Sequence, residues 1–441
     1  MNRSRKLLVG AVAALLGAAL LTTGTADAVP GKHVKVPPNP PMGWSSWSSL
    51  HGNISASIIE AQAKEMHDNL ASAGYQYVNV DAGWENGVDQ YGRPTFDTTK
   101  FPDGIAPVAA YVHSLGLKFG IYLVPGIPAA AVAANSPIIG TPYHIADIAD
   151  TSKPGNTAQD GSAAIDYTKP GAMAYVQSEA NLLASWGVDY LKMDFVGPGG
   201  GRIPADNRAD IQAWHNAIQH SRRAIHLELS NSLSFANAST WAQYSNGWRI
   251  EGDVECYSHC TGLTNWALRV VKRFTDVPQW IPFAGPGHWN DLDSLEVGNG
   301  ATTDGLSADE AQSTMTLWSI ESAPLLLGTN LTKLDPSDLK LLTNREVIAV
   351  DQAGHPAHPV SQSSDQQVWF AKNPDGSYTV ALFNLGSASA TVSATWSELG
   401  FNGSAHVRDL WAEKNLGKQA NGFSATLASH ASRLLRVIPA D

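Results

Sequence analysis

The sequence predicts an α/β fold: a (β/α)8 TIM barrel followed by a C-terminal antiparallel β-sandwich domain. Three observations predict it. From Met42 onward, short β-rich runs alternate with amphipathic helical stretches eight times over about 300 residues, which suits a closed barrel better than an open doubly wound sheet. No Gly-rich phosphate fingerprint follows the first run, which counts against a dinucleotide-binding sheet. After Gln352 the texture changes to short alternating runs split by Asp-Gly, Gly-Ser and Asn-Gly turns.

Taken in order, residues 1–28 read as a signal peptide. Arg3, Arg5 and Lys6 precede an apolar run from Leu7 to Leu21, and Ala26-Asp27-Ala28 supplies an A-x-A cleavage site. A secreted, extracellular chain beginning near Val29 is therefore expected. Residues 29–41 form a Pro-rich lead-in. The barrel is assigned to residues 42–357, with strands expected at Met42–Ser45, Tyr75–Asp81, Lys118–Leu123, Tyr190–Phe195, Ile225–Ser230, Gly247–Glu251, Ile281–Ala284 and Pro324–Gly328. Between them, Ile59, Ala63, Met66, Leu70 and Ala73 fall on one helical face that stops at Gly74. Ile105, Val108, Val112 and Leu115 form the next face, and a later helix opens at Pro170 and closes at Gly187.

One connection is abnormally long. Residues 124–169 are rich in Ala, Pro, Gly and Thr and exceed the usual βα loop. Such a loop is read either as a selectivity element at the barrel's C-terminal face or as a tolerated surface insertion. The second domain, residues 358–441, carries no catalytic constellation, and its expected role is to pack against the barrel.

Composition narrows the function classes. With 43% hydrophobic and 16% charged residues, the chain is globular rather than disordered. The formal charge of −11, with no basic block, argues against nucleic acid or an anionic membrane as partner. Past the leader no apolar run is long enough to span a bilayer. Fourteen Trp residues hint at rings that stack on sugars, although most Trp residues are core. The two cysteines, Cys256 and Cys260, are read first as a disulfide; free thiols, or a metal set with His259, remain the alternatives.

The chemistry is expected at the C-terminal ends of the strands. Lys192 and Asp194 stand two apart on the fourth strand and so share a face, and buried charges are tolerated only when paired. Asp81 ends the second strand and Asp253 follows the sixth, close to Arg249. Several carboxylates on one rim suit glycoside hydrolysis, which needs a nucleophile and a general acid/base. On this reading Lys192 lowers the pKa of Asp194, while that of the acid/base rises. Asp291 and Asp293 are read as loop-structuring residues and His288 as a hydrogen-bonding one. No His-Glu-x-x-His, P-loop or Ser-His-Asp signature is present, and no cofactor is expected.

The motifs Pro-Pro-Met-Gly-Trp-Ser-Ser-Trp (40–47), Tyr-Val-Asn-Val-Asp (77–81), Lys-Phe-Gly-Ile-Tyr (118–122), Trp-Gly-Val-Asp-Tyr-Leu-Lys-Met-Asp (186–194), Trp-Arg-Ile-Glu-Gly-Asp (248–253) and Gly-His-Trp-Asn-Asp-Leu-Asp-Ser-Leu-Glu-Val-Gly-Asn (287–299) occur in this order. Together they resemble glycoside hydrolase family 27, the α-galactosidase family, across nearly the whole mature chain. The resemblance implies a retaining mechanism without metal, with Asp194 matching the nucleophile and Asp253 the acid/base. It implies that Trp47, Asp81, Tyr122, Lys192, Ser230 and Arg249 bind the sugar. The implied partner is a carbohydrate substrate, an α-galactoside or related α-glycoside; oligomeric state is not legible.

This chain departs from the family pattern at four places. Ala82 stands where the family usually has a second acidic residue for the sugar's distal hydroxyls. Gly83, Ala130, Val196 and Leu229 replace the usual cysteines. Glu228-Leu-Ser-Asn-Ser replaces the Cys-Glu-Trp pattern, and Cys256 and Cys260 fall in the loop after Asp253. The alternatives are an isomaltodextranase-like or β-L-arabinopyranosidase-like enzyme with the same mechanism, or a catalytically silent carbohydrate-binding protein.

Overall fold

The computed structural model describes residues 35–440, so the expected leader lies outside the described residues. The barrel strands are β1 (Met42–Ser45), β2 (Tyr77–Val80), β3 (Lys118–Leu123), β4 (Tyr190–Met193), β5 (His226–Leu229), β6 (Gly247–Arg249), β7 (Trp289–Asp291) and β8 (Leu325–Leu327). They pair in parallel in the order β7-β6-β5-β4-β3-β2-β1-β8. The seam between β7 and β8 is closed beyond β7, where the Leu295 N–H donates to the Leu326 carbonyl at 2.7 Å and Leu295 bridges Leu327.

Close packing inside the barrel explains two strand glycines. A Cβ on Gly43 would lie 2.2 Å from the Tyr77 carbonyl oxygen, and one on Gly120 would lie 2.8 Å from Asn79 Oδ1. Both leave room for an interior plug in which Tyr77, Tyr190 and His226 pack together, the last two rings stacked at 4.9 Å. The helix Ala56–Asn69 starts where Ser55 accepts the Ile58 N–H, and it buries Ile59, Ala63 and Met66, as the apolar spacing predicts.

Strand seven corrects the sequence reading. Ile281–Phe283 is a short 3-10 helix, and the strand is Trp289–Asp291 within the acidic segment. All three residues are buried, and Asn290 Oδ1 accepts from Trp248 Nε1 at 2.9 Å across to β6. Strands β2, β4, β5 and β6 are shorter than expected; Asp81, Asp194 and Ser230 lie just past their ends.

The long connection is not a loose insertion. It holds the helices Ala129–Ala134 and Ile145–Ile148 and a small antiparallel pair, Ala149–Asp150 with Ala164–Ile165. Ile127, Ala131, Ile138, Ile145 and Ile148 belong to the main core. The Thr157 N–H and hydroxyl both donate to the Phe195 carbonyl at 3.0 Å, which ties the insertion to the turn after Asp194.

The C-terminal domain comprises β9 (Gln366–Lys372), β10 (Tyr378–Asn384), β11 (Ala390–Thr395), β12 (Ser404–Asp409), β13 (Lys414–Ala420), β14 (Gly422–Leu427) and β15 (Ser432–Ala440). Its larger sheet runs His358–Pro359, β9, β10, β15, β12, β13, faced by the β11–β14 pair. Every residue of β10 is buried because both faces are covered. Val380 and Leu382 face the sandwich core, while Ala381 and Phe383 join the barrel core, with Phe383 4.8 Å from the Phe274 ring. Among the described residues, no helix is long and apolar enough to cross a membrane.

Candidate active site

Strand ends set the site. Asp81, directly after β2, is fixed on every side. Its Oδ2 accepts from Lys192 Nζ at 2.7 Å and Ser45 Oγ at 3.3 Å, its Oδ1 accepts the Ala82 N–H, and its own N–H donates to Ser46 Oγ. Lys192 therefore forms its ion pair with Asp81 and not with Asp194, as first expected. Burial acts to lower the Lys192 ammonium, and the charges of Asp81 and Asp194 more than reverse it, so the lysine stays cationic. Its ammonium also lies 5.9 Å from the centre of the Tyr122 ring.

Asp194 follows β4, and its Oδ1 accepts the Phe195 N–H at 2.8 Å. Burial pushes its carboxyl above the ordinary aspartate value, with Lys192 and Arg249 only partly opposing the shift. Asp253 behaves in the opposite sense. Burial acts to raise it, but the Arg249 guanidinium, Lys192 and the Tyr257 hydroxyl outweigh burial and hold it below the usual carboxylate range. Both directions reverse the sequence expectation. Lys192 is committed to Asp81, and the partner of Asp253 is a buried arginine.

Arg249 ends β6 and organises this half of the site. One guanidinium nitrogen meets Asp253 at 2.8 Å and Asp293 at 3.1 Å, and the other donates to Ser230 Oγ at 3.1 Å. Ser230, expected among the sugar-binding residues, is wholly buried and does not line the cavity. Its hydroxyl accepts from Arg249 and so helps to fix the guanidinium. Asp293, read as a loop residue, is part of the site: its carboxylate accepts the Val254 N–H at 2.7 Å as well as pairing with Arg249.

These groups surround one cavity of about 340 Å³. Trp47, Asp81, Tyr122, Lys192, Asp194, Arg249 and Asp253 line it, with Ala82, Phe195, Asn231, Glu255 and Tyr257. Among the tryptophans only Trp47 does so; most of the rest are core. A second cavity of about 500 Å³ lies between the helix Arg345–Gln352 and the sandwich, remote from these carboxylates.

Glu255 and Tyr257 were missed from the sequence. Glu255 stands two residues beyond Asp253, the same spacing that drew attention to Lys192 and Asp194. Its Oε1 accepts from Ser48 Oγ at 2.5 Å, and carboxylate oxygens of Asp253, Glu255 and Asp293 fall within 4.8 Å of one another. The Arg249 guanidinium is the cation among them. Cys256 and Cys260 form a disulfide with Cα atoms 5.8 Å apart, and Tyr257 lies inside that small ring.

Comparison with known proteins agrees with this geometry. The family model described as alpha galactosidase A matches residues 39–136 and 153–353, and the alpha galactosidase C-terminal beta sandwich domain matches residues 363–437. The α-galactosidase of Coffea arabica is 33% identical over 91% of this chain and 94% of its own length. Alpha-galactosidase 2 of Arabidopsis thaliana is 32% identical over 90% and 88%. Among solved structures, a GH27 β-L-arabinopyranosidase from Geobacillus stearothermophilus has a TM-score of 0.83 at 33% identity, covering 91% of this chain and 97% of that one. Alpha-galactosidase I from Mortierella vinacea has a TM-score of 0.72 at 28% identity, covering 90% and 96%. The chain thus belongs to the α-galactosidase-like glycoside hydrolase family 27 and is a glycoside hydrolase.

Proposed function

We propose that the protein is a retaining glycosidase that removes terminal α-D-galactopyranosyl residues by double displacement. The observation that carries the reading is one cavity lined by both Asp194 and Asp253, with Asp253 paired to the buried Arg249. Asp194 attacks the anomeric carbon as Asp253 protonates the departing oxygen, giving a glycosyl ester on Asp194. Asp253 then takes a proton from water, which attacks the same carbon and releases Asp194, so two inversions leave the configuration unchanged. Lys192 and Arg249 counter the charge of the two aspartates, and Trp47, Asp81 and Tyr122 wall the sugar subsite. NMR of the first-formed sugar anomer from an α-galactoside should show α. Appearance of β first, or full activity in Asp194→Asn, would sink the mechanism.

A second reading changes the sugar. β-L-Arabinopyranose is α-D-galactopyranose without its hydroxymethyl group, so the two share their ring hydroxyls. Ala82 lines the cavity where the family pattern has a carboxylate, and it offers the distal hydroxyl no charged partner. The resemblance to the Geobacillus enzyme supports the same possibility. Restoring the acid in Ala82→Asp should raise kcat/KM for nitrophenyl α-galactoside relative to β-L-arabinopyranoside by roughly tenfold or more, the worth of one hydrogen bond to a charged group. An unchanged ratio would remove Ala82 as the determinant. Export, read from residues 1–28, belongs to the same proposal: the mature chain would act outside the cell.

A further inference from the structure

The strand ends account for most of the cavity wall, but Tyr257 reaches it from an irregular loop. Asp253 Oδ1 is taken by Arg249, and Oδ2 accepts from the Tyr257 hydroxyl at 3.0 Å. The phenol oxygen in turn accepts from Trp47 Nε1–H at 2.8 Å, so a residue after β1 fixes it in place. Tyr257 is 53% exposed, although its hydroxyl sits against Asp253. Before Tyr257 the chain is anchored: the Cys256 N–H donates to the Leu263 carbonyl at 2.7 Å and Thr264 Oγ1 to the Val254 carbonyl at 2.6 Å. Among the described residues no backbone N–H of 257–260 is bonded in this way. The bond from Cys256 to Cys260 is what closes this stretch.

We propose that Tyr257 is a positioning residue for Asp253, and that the Cys256–Cys260 disulfide holds it in that role. This inference rests on Asp253 being the acid/base. With Oδ1 committed to Arg249, Oδ2 is the oxygen left to carry a proton to the leaving group, and the tyrosine hydroxyl sets its direction. When Asp253 is ionised the hydroxyl donates to Oδ2; when Asp253 is protonated, Oδ2–H can donate to the same phenol oxygen. The charged and titratable groups facing this pair are Arg249 from β6, Lys192 from β4, Glu255 just before the disulfide, Asp293 after β7 and His51, whose ring centre lies 6.2 Å from that of Tyr257. None of these lies within the ring closed by the disulfide, which contains Tyr257.

The test uses the chain's cysteine content. Cys256 and Cys260 are its only cysteines, so a thiol reductant acts on this one bond. Tyr257→Phe keeps the ring and removes the hydroxyl, which stabilises the Asp253 anion. The acid form then persists to higher pH, and the basic limb of kcat/KM should move upward, with kcat falling roughly tenfold. Dithiothreitol on the wild-type enzyme should reproduce that shift, and Tyr257→Phe should be indifferent to it. A reductant effect of equal size in Tyr257→Phe would make the disulfide merely structural and overturn the proposal. So would a wild-type profile unmoved by complete reduction, verified by thiol titration. An Asp253→Asn variant as active as wild type would instead defeat the acid/base assignment beneath it.

Discussion

Glu255 shows how one buried carboxyl can report on the site. It is 5% exposed, its Oε2 has no protein partner, and Arg249 is already committed to Asp253 and Asp293. Burial, with the negative charges of Asp293 and Asp253 adding to it, pushes Glu255 up to about 8. Glu296 behind it is 1% exposed with both oxygens unpartnered, and burial raises it too. Two such neighbours without a cation between them are stable as neutral acids. The sign follows from proton counting. At pH 6.5 the folded chain holds the Glu255 proton and the unfolded chain does not, so stability is lost as pH rises through about 8. Gln copies the neutral acid and cannot ionise. Because the unfolded carboxyl is already ionised at pH 6.0, Glu255→Gln should exceed wild type in Tm there, and by more at pH 8.5. A difference between the two that stays constant from pH 6.0 to 8.5, by calorimetry, would mean that burial does not raise Glu255.

At the scale of elements, the alternation of strand and helix was legible because each strand but one carries a hydrophobic run with a clear end. Strand β7 was misread for a physical reason. Its residues, Trp289, Asn290 and Asp291, look like an acidic turn, and they are buried through specific partners rather than through hydrophobicity. Ile281–Phe283 offered the apolar run instead, but a 3-10 turn consumes it directly after the helix Val271–Trp280. The spacing-two pattern that exposed Lys192 and Asp194 recurs at Asp291 and Asp293 and at Asp253 and Glu255. Read there, it would have found two more groups of the site. Tyr257 and the true partner of Lys192 carry no such signal, since both depend on contacts between distant segments. If the β6–β7 pairing is as described, Asn290→Leu leaves the Trp248 indole N–H unbonded in the interior. It should cost roughly 1–3 kcal/mol in denaturant unfolding. No loss would indicate that Trp248 finds another acceptor.

At the scale of the whole molecule, barrel and sandwich share one core. Trp369, Ala381, Phe383 and Leu434 from the sandwich join a cluster that includes Phe274, Met315 and Trp318 of the barrel. Asn344 Nδ2 donates to the Leu410 carbonyl at 3.1 Å across the same junction, and its Oδ1 caps the helix Arg345–Gln352. Two parts joined through a common core should unfold in a single transition, so one Tm reports on all buried acids together. Burial raises the carboxyls of Glu228, Glu296, Glu321 and Asp351, lifts Glu179 to about 8 and, in a more open setting, lifts Glu85 to about 7. All of these favour the fold while protonated and lose that contribution as pH rises through their folded values. His226, which burial lowers to about 3, has the opposite slope, but only below the ordinary imidazole range. Between pH 6.5 and 8.5 it adds only a small opposing gain at the lower end, where the unfolded imidazole is still partly protonated. Over that window Tm should fall by several degrees, with Glu179→Gln and Glu255→Gln each removing part of the fall. A Tm that stays flat or rises from pH 6.5 to 8.5, or a scan that splits into separate barrel and sandwich transitions, would contradict this account of the buried acids and the shared core.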